Sequence, residues 1–296
     1  MMAVAPLEAL DDAGFEIALV VTGADKRRGR GAPPSATPVK LAALARNLAV
    51  SHDLADVAGT GADLGVVVAY GRILRRPLLE ALPVVNLHFS LLPRWRGAAP
   101  VERAMLAGDQ RTGVCVMAVE EGLDTGGIYA SAEVAIRRSG TAPELGAQLA
   151  EIGARLLVDT LERGLDAPVP QVGEATYAAK ITVEDLWLDW SRPAPELERV
   201  VRVGGAWTTF RGRRLKVHQA RAWPDDLPTE TGRPVGELQG SRVSTGSGVL
   251  ELAQVQPEGK GRVPIADWVN GARPGAGERL GTAIADPGLL PAGGSS

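Results

Sequence analysis

The side chains best suited to chemistry in this sequence are an amide, an imidazole and a carboxylate, from Asn86, His88 and Asp124. Asn86 and His88 end the apolar run that starts at Val84, which predicts a buried strand. Side chains alternate along a strand, so these two point to the same face. Asp124 lies in the glycine-flanked loop 122–126. Together they predict an acid–base site at the carboxyl end of a strand, provided that the fold brings Asp124 to the other two.

Other reactive or aromatic side chains favour structural interpretations. Cys115 lies in an apolar, strand-like run, where a buried small hydrophobe is the simplest reading. His52 and His218 have no partner motif nearby. Trp95 and Trp207 are predicted to pack more often than to stack on a ligand.

Composition is typical of a globular protein, with 45% apolar and 23% charged residues in 296. A single cysteine excludes an intramolecular disulfide and a zinc site built from several cysteines. No apolar run approaches the 18 residues of a membrane span, and no secretory leader is recognisable. We therefore expect a cytoplasmic, monomeric protein without a metal. The net charge of −3 does not indicate a nucleic-acid binder, although residues 196–290 are mildly basic, with 13 Lys and Arg against 11 Asp and Glu.

Up to residue 163 the sequence alternates between strand and helix patterns, which predicts a parallel sheet covered on both faces. The predicted strands are Phe15–Val21, Val66–Ala69, the run from Val84, Val114–Val119 and Gly127–Ile136. The predicted helices are Pro6–Ala13, Val39–Ala49, Pro77–Ala81, Pro100–Leu106 and Ala142–Arg163, with a further helix start at Gly97. In the second of these helices, the apolar stripe consists of Leu41, Leu44, Ala45 and Leu48.

The pattern changes after Ala167, where prolines interrupt the chain and short, turn-bounded β segments follow from Val200 onward. These segments are Ala206–Arg211, Leu215–Ala220, Gly236–Leu238, Val243 and Val249–Val255, with a helical turn at Ile265–Val269. We predict a catalytic domain at 1–174, a linker at 175–195, a small β domain at 196–286 and a disordered tail at 287–296.

Several sequence runs are shared with a known family. Asn86-x-His88, the Ser90–Pro93 turn and Asp124 resemble the folate-dependent formyltransferases. The longer run SLLPRWRGAAP, residues 90–100, is similar to the branch whose acceptor is methionyl-tRNA. Further matching runs are Ala175–Ala178 with Lys180–Ile181, Gly205–Gly212 and Val255–Lys260, so that the resemblance extends from about Leu7 to Gly281.

This resemblance implies an α/β fold: a doubly wound, Rossmann-like formyltransferase domain followed by a small OB-like β-barrel domain. It implies transfer of a formyl group from 10-formyltetrahydrofolate to the methionine of initiator methionyl-tRNA, for translation initiation. Asn86 would donate to the oxyanion, and His88 would donate or shuttle a proton. Asp124 would either fix the His88 tautomer or accept a proton through water, and its charge is expected to raise the pKa of His88.

The resemblance also implies binding residues. The folate would lie in a cleft between 68–74 and 123–126, lined by Tyr70, Gly71, Ile73, Ser90, Leu91, Leu92, Pro93 and Leu123. The tRNA would be contacted by basic residues of an early loop and of the β domain, namely Lys26, Arg27, Arg28, Arg30, Arg211 and Arg213. Alternation would place Arg211 and Arg213 opposite Arg214 and Lys216. The alternatives are a small amine acceptor, such as a sugar amine or a glycinamide nucleotide, and a non-catalytic RNA-binding protein.

One departure from the family concerns the beginning of the chain. Relatives start with a strand and a glycine-containing turn, whereas Met1 and Met2 directly precede the first predicted helix here. We therefore expect the doubly wound sheet to lack its first strand, so that Phe15–Val21 and Val66–Ala69 have no common neighbour. Each unpaired buried backbone group costs roughly 1–3 kcal/mol, and the hypothesis is that an upstream extension would raise activity.

Overall fold

The computed structural model describes residues 2–27, 33–223 and 233–282. The chain divides into two compact units. The first unit comprises Met1–Ala104, Gln110–Arg137 and Pro143–Lys180, and the second comprises Met105–Asp109, Arg138–Ala142 and Ile181–Ser296. The main division, after Lys180, falls inside the predicted linker, while the predicted domain bounds themselves stay predictions.

The chain up to Ala178 alternates between strands and helices, as the hydrophobic pattern predicts. The strands are β1 Val20–Val21, β2 Lys26–Arg27, β3 Pro34–Ser35, β4 Val50–Ser51, β5 Gly65–Val68, β6 Val84–His88, β7 Arg96–Gly97, β8 Arg111–Ala118, β9 Ile128–Ala135 and β10 Tyr177–Ala178. The helices are α1 Val4–Asp12, α2 Pro38–Ala45, α3 Arg76–Ala81, α4 Pro100–Ala107 and α5 Ala142–Arg163, with a 3-10 turn at Leu54–Gly59. Gly97 belongs to β7, so the helix start predicted there is wrong, and α4 begins at Pro100.

The main sheet of the first unit has the strand order β5-β6-β8-β9. Only β5 and β6 run parallel, whereas β8 is antiparallel to both of its neighbours. The prediction of a parallel sheet is therefore wrong for this part. Residues 119–127 join β8 to β9 without the helical crossover that a parallel pair requires. Strands β6 and β8 are antiparallel although α4 lies between them, so the presence of a helix in the sequence did not establish the strand direction.

A separate parallel pair is formed by β1 and β4, with Val20 opposite Val50. Phe15 to Leu19 of the predicted first strand are outside any strand. Among the described residues β1 pairs only with β4, and β5 only with β6.

Helix α2 is capped at its N-terminus by Thr37, whose side chain accepts a hydrogen bond from the Lys40 N–H at 3.2 Å. Its predicted apolar stripe is wrong, because Leu41 and Leu44 are 58% and 53% exposed. The buried side chain is Ala43, which packs with Leu7 and Val20. Ala43 lies on the side of α2 opposite Leu41 and Leu44. The helix ends at Ala45, so Leu48 of the predicted stripe lies beyond it.

The second unit contains α6 Ala194–Val203, β11 Trp207–Phe210, β12 Arg213–Trp223, β13 Leu238–Gln239, β14 Arg242–Ser244, β15 Val249–Pro257, β16 Val263–Pro264 and α7 Ile265–Ala272. Its sheet has the order β11-β12-β15-β14-β13, with β16 also paired to β15. Leu197 of α6 and Val217, Leu250 and Val255 of the sheet are fully buried in one core. No pairing between described strands closes this sheet into a barrel, so the OB-like closure is not confirmed. The predicted tail lies outside the described residues.

Across the described part of the chain, no helix is both long enough and apolar enough to cross a bilayer.

Candidate functional site

Strand β6 lies between β5 and β8 and carries two polar side chains on one face. Its apolar residues Val85 and Leu87 are 1% exposed and point to the opposite face. Asn86 and His88 therefore project together, as the spacing predicts. Both side chains lie near the carboxyl end of the parallel β5–β6 pair, which is where open α/β sheets place ligands.

Asp124 reaches both of these side chains. Asn86 Nδ2 donates to Asp124 Oδ1 at 3.3 Å, and the backbone N–H of Gly97 donates to Oδ2 at 2.8 Å. His88 Nδ1 lies 3.6 Å from Asp124 Oδ2. The structure thus brings the amide, the imidazole and the carboxylate together, with only 14% of the Asp124 side chain exposed.

The imidazole of His88 is held by the backbone on its other side. Nε2 lies 2.9 Å from the carbonyl oxygen of Trp95. A carbonyl can only accept, so Nε2 carries the proton and the neutral ring presents a bare Nδ1 to Asp124. The Trp95 carbonyl therefore fixes the tautomer of His88. From the sequence, fixing this tautomer was one of the two roles expected for Asp124.

The pKa of His88 is lowered from its ordinary value of 6.5 because burial disfavours the charged ring, although the Asp124 carboxylate and the Trp95 carbonyl raise it. The expectation of a raised pKa is wrong. That expectation considered the charge of Asp124 alone, whereas the His88 side chain is 5% exposed and its desolvation is the larger effect. At neutral pH the ring is uncharged and can accept a proton.

The Asp124 loop has an unusual backbone. Asp124 has φ +51°, a left-handed conformation in which Asp is one of the few tolerated side chains. Gly126 follows where a Cβ would collide with the Ala118 carbonyl. Gln171 donates to the carbonyl oxygens of Asp124 and Gly126, both at 2.8 Å. Sequence reasoning missed Gln171, since nothing in its local sequence marks it.

The turn after β6 is tied to a later segment of the chain. Ser90 is fully buried and its hydroxyl donates to the Arg94 carbonyl at 2.6 Å. The Leu92–Pro93 peptide is cis. Leu92 packs against Cys115, and the Arg94 guanidinium lies 4.5 Å from the centre of the Trp95 ring.

Four further predicted folate-binding residues are Tyr70, Gly71, Ile73 and Leu123. Tyr70 and Gly71 follow β5, whose last residue pairs with Leu87 of β6. The Tyr70 hydroxyl is buried and has no hydrogen-bond partner among the described residues. Ile73 and Leu123 are 84% and 58% exposed. A buried hydroxyl without a partner and exposed apolar side chains suit a ligand with both polar and apolar parts.

The predicted RNA contacts have different surroundings. Lys26 and Arg27 are exposed on β2, whereas Arg28 and Arg30 lie outside the described residues. Arg211 donates to Glu278 at 2.7 Å and to the Ala272 carbonyl at 3.1 Å. Arg213 lies 3.9 Å from Glu258 and is 72% exposed, so its guanidinium is the more available of these two.

The predicted alternation on the β domain is wrong for Arg211, because this residue lies in the turn between β11 and β12 with φ +48°. Arg211, Arg213 and Arg214 instead line one cavity of about 490 Å³, together with Trp268. The guanidinium of Arg214 also stacks 4.0 Å from the centre of the Trp207 ring.

The remaining histidines and Trp207 have structural partners. His52 Nδ1 lies 2.9 Å from the Thr22 carbonyl, and His218 Nε2 lies 2.9 Å from Gln256 Oε1. Trp207 packs edge-on against Trp187. Within residues 2–27, 33–223 and 233–282, no cluster of three or more His, Cys, Asp or Glu side chains could hold a metal ion.

This chain belongs to the formyl transferase family: the family's main domain matches residues 2–161, and its C-terminal domain matches residues 180–273. It is 43% identical to a methionyl-tRNA formyltransferase of Symbiobacterium thermophilum, over 95% of this chain and 91% of the relative. It is also 43% identical to one of Streptomyces coelicolor, over 95% of this chain and 96% of the relative.

Solved structures show the same fold at low sequence identity. An N-formyltransferase from Helicobacter canadensis is 17% identical with a TM-score of 0.64, over 86% of this chain and 96% of that one. A methionyl-tRNA formyltransferase from Clostridium thermocellum is 20% identical with a TM-score of 0.52, over 60% of this chain and 82% of that one.

Proposed function

We propose that this chain transfers the formyl group of 10-formyltetrahydrofolate to the methionine amino group of initiator methionyl-tRNA. The carrying observation is the meeting of Asn86, His88 and Asp124 in a chain 43% identical, over nearly its whole length, to methionyl-tRNA formyltransferases. Binding of the tRNA and action as a cytoplasmic monomer belong to this proposal.

Asn86 is assigned to the oxyanion that develops when the amine attacks the formyl carbon. Its Nδ2 carries two N–H groups, and one of them is directed to Asp124 Oδ1. The second can donate to the oxyanion, and removal of such a donor costs roughly 2.7–4 kcal/mol of transition-state stabilisation. The bond to Asp124 fixes the plane of the amide before the substrate arrives.

His88 and Asp124 are assigned the proton transfers. The bare Nδ1 of His88 and the Asp124 carboxylate are adjacent acceptors, 3.6 Å apart. As the new C–N bond forms, this pair takes the proton of the attacking amine, and the imidazolium that results faces a carboxylate. When the C–N bond to folate breaks, the pair returns that proton to the departing nitrogen, so the cycle neither takes up nor releases a proton overall.

The residues at the edge of the sheet fit the formyl donor. Tyr70 Oη is available as a partner for a polar group of the folate, and Ile73 and Leu123 offer apolar surface. The bound folate supplies the activated formyl group. Ser90, Leu91, Leu92 and Pro93 form the turn that follows β6, and Gly71, with φ +70°, lets the chain turn after Tyr70.

Lys26, Arg27, Arg28 and Arg30 are proposed to contact the acceptor arm, with Arg213 and Arg211 as a second basic group. The double variant K26A/R27A should raise the KM for methionyl-tRNA and weaken its salt dependence, because each phosphate contact releases counterions. Folate affinity should be unchanged. R155A, which removes an exposed arginine of α5, is the matched control. Unchanged tRNA kinetics in K26A/R27A would remove this loop from the proposal.

The proposed activity is tested by incubating the purified chain with 10-formyltetrahydrofolate and three acceptors: charged initiator tRNA, an amino-sugar nucleotide and a glycinamide nucleotide. Formylmethionine on the tRNA is the expected product. Preferential formylation of a small amine would replace the proposed acceptor. Binding of tRNA without turnover would indicate an RNA-binding protein instead.

A further inference from the structure

The carboxamide of Gln171 uses its full hydrogen-bonding capacity between two parts of the candidate site. Its Nε2 donates to the Asp124 and Gly126 carbonyls, both at 2.8 Å. Its Oε1 accepts from Arg96 Nε at 3.1 Å and from Arg96 Nη2 at 2.6 Å. Two donors and two lone pairs are all that a carboxamide has, so every one is satisfied.

The orientation of this carboxamide follows from its partners. If its oxygen and nitrogen were exchanged, the NH₂ group would face the N–H groups of Arg96, and the oxygen would face two carbonyls. A glutamate would keep the contacts with Arg96 and place a carboxylate oxygen against the carbonyls of Asp124 and Gly126. Only a glutamine therefore joins the guanidinium to the loop.

The backbone around Gln171 is fixed on both sides. Two residues earlier, Val169 exchanges backbone hydrogen bonds with Ile128, at 2.8 and 2.9 Å. A few residues later, the N–H of Trp95 donates to the Thr176 hydroxyl at 2.9 Å, and β10 pairs with β7. The side chain of Gln171 therefore projects from a segment that is anchored to β9 on one side and to β7 on the other.

Arg96 and Gln171 complete a frame around the two reactive groups. The Trp95 carbonyl sets the His88 ring, the Gly97 N–H holds the Asp124 carboxylate, and Arg96 between them holds Gln171. Gln171 in turn holds the backbone of Asp124, whose φ of +51° is a conformation that most side chains disfavour.

We propose that Gln171 is a positioning residue that, with Arg96, holds the Asp124 loop so that its carboxylate faces His88 Nδ1. The proposal deepens the formyl-transfer function and rests on it for its kinetic consequence. Gln171 acts through Asp124 and does not itself contact the reacting atoms.

The kinetic test compares Q171A and Q171E with wild type and with Q110A, an exposed glutamine of the same unit. Q171A should lower kcat about 10- to 100-fold, the usual cost of a displacement near 1 Å. The KM values for folate and methionyl-tRNA should stay within about threefold of wild type. Q171E should be at least as impaired as Q171A, although it retains the contact with Arg96. A Q171E variant with wild-type kcat, or a Q171A variant with unchanged kcat, would overturn the proposal.

A second measurement does not depend on the acceptor. The Asp124 carboxylate raises the pKa of His88 against the effect of burial, so displacement of the loop should lower that pKa further. An NMR titration of wild type and Q171A should show this shift for the His88 ring. An unchanged His88 titration in folded Q171A would overturn the positioning role. A shifted titration in a chain whose wild type formylates no acceptor would refute the proposed function and leave the positioning role standing.

Discussion

The Nε2 atom of His88 lies 2.9 Å from the carbonyl oxygen of Trp95, and this one contact determines which face of the imidazole is available for chemistry. Because the ring must donate there, its free lone pair is on Nδ1, beside Asp124. The Trp95 carbonyl thus determines which nitrogen of His88 carries the proton. The Asp124 carboxylate is left to stabilise the charge that the ring acquires when it is protonated.

His88 should make stability depend on pH. Its folded pKa is below the ordinary 6.5, so the unfolded chain binds a proton at a pH where the folded ring resists it. This contribution to stability is therefore complete above about pH 6.5 and is lost as the pH falls through the folded pKa. H88Q keeps a donor for the Trp95 carbonyl and removes the titration. The difference in urea unfolding free energy between wild type and H88Q should shrink from pH 8 to pH 5, and a constant difference would contradict the burial argument.

Loss of the Asn86 amide should affect the chemical step. N86A removes the proposed oxyanion donor and should lower kcat by about 10²- to 10³-fold. Folate affinity, measured by fluorescence without acceptor, should change little. N270A, at an exposed asparagine of α7, should behave like wild type. A kcat within threefold of wild type in N86A would assign the oxyanion to another donor.

Cys115 should be chemically silent in the folded protein. It is 1% exposed, its thiol donates to the Ser90 carbonyl at 3.1 Å, and burial raises its pKa to about 11. Since the thiolate is the reactive form, Ellman's reagent at pH 8 should modify almost none of the native protein. After unfolding in guanidinium chloride, the reagent should detect one thiol per chain, because the sequence has a single cysteine. Rapid reaction of the native protein would mean that this strand opens readily.

The Arg211–Glu278 pair should hold the last described segment. The Arg211 guanidinium, followed by the Gly275 N–H, lowers the pKa of Glu278 to about 2. The pair therefore stabilises the fold at a pH above about 4.5, and this contribution is lost as the pH falls toward 2. R211A should accelerate hydrogen exchange in residues 275–282 at pH 7, whereas R279A, at an exposed arginine, should not. Equal exchange in the two variants would show that other contacts fix the segment.

The sequence predicted best what depends on local pattern. The strand Val84–His88 was predicted correctly because its apolar run ends in polar residues. Helix α5 was predicted correctly because its apolar periodicity is long. The convergence of Asp124 with Asn86 and His88 agrees with what the sequence motifs indicate.

The failures share a different cause, which is packing between distant segments. The exposure of Leu41 and Leu44 depends on which face of α2 packs against the rest of the protein. The direction of β8 depends on the path that the chain takes after β6. The lowered pKa of His88 depends on burial, which residue types alone do not show. Gln171 was missed because its partners, Arg96 and Asp124, are 75 and 47 positions away.

The left-handed backbone at Asp124 also decides how substitutions at that position should be interpreted. Alanine there removes the carboxylate and at the same time places a side chain in a conformation that asparagine and aspartate tolerate better. Asparagine has the same shape and a similar backbone preference, so D124N keeps the loop conformation while it removes the charge and one of the two hydrogen bonds accepted from Asn86 and Gly97. The extra loss of activity in D124A relative to D124N therefore measures how much of the rate depends on the shape of the loop together with the one hydrogen bond that asparagine still accepts.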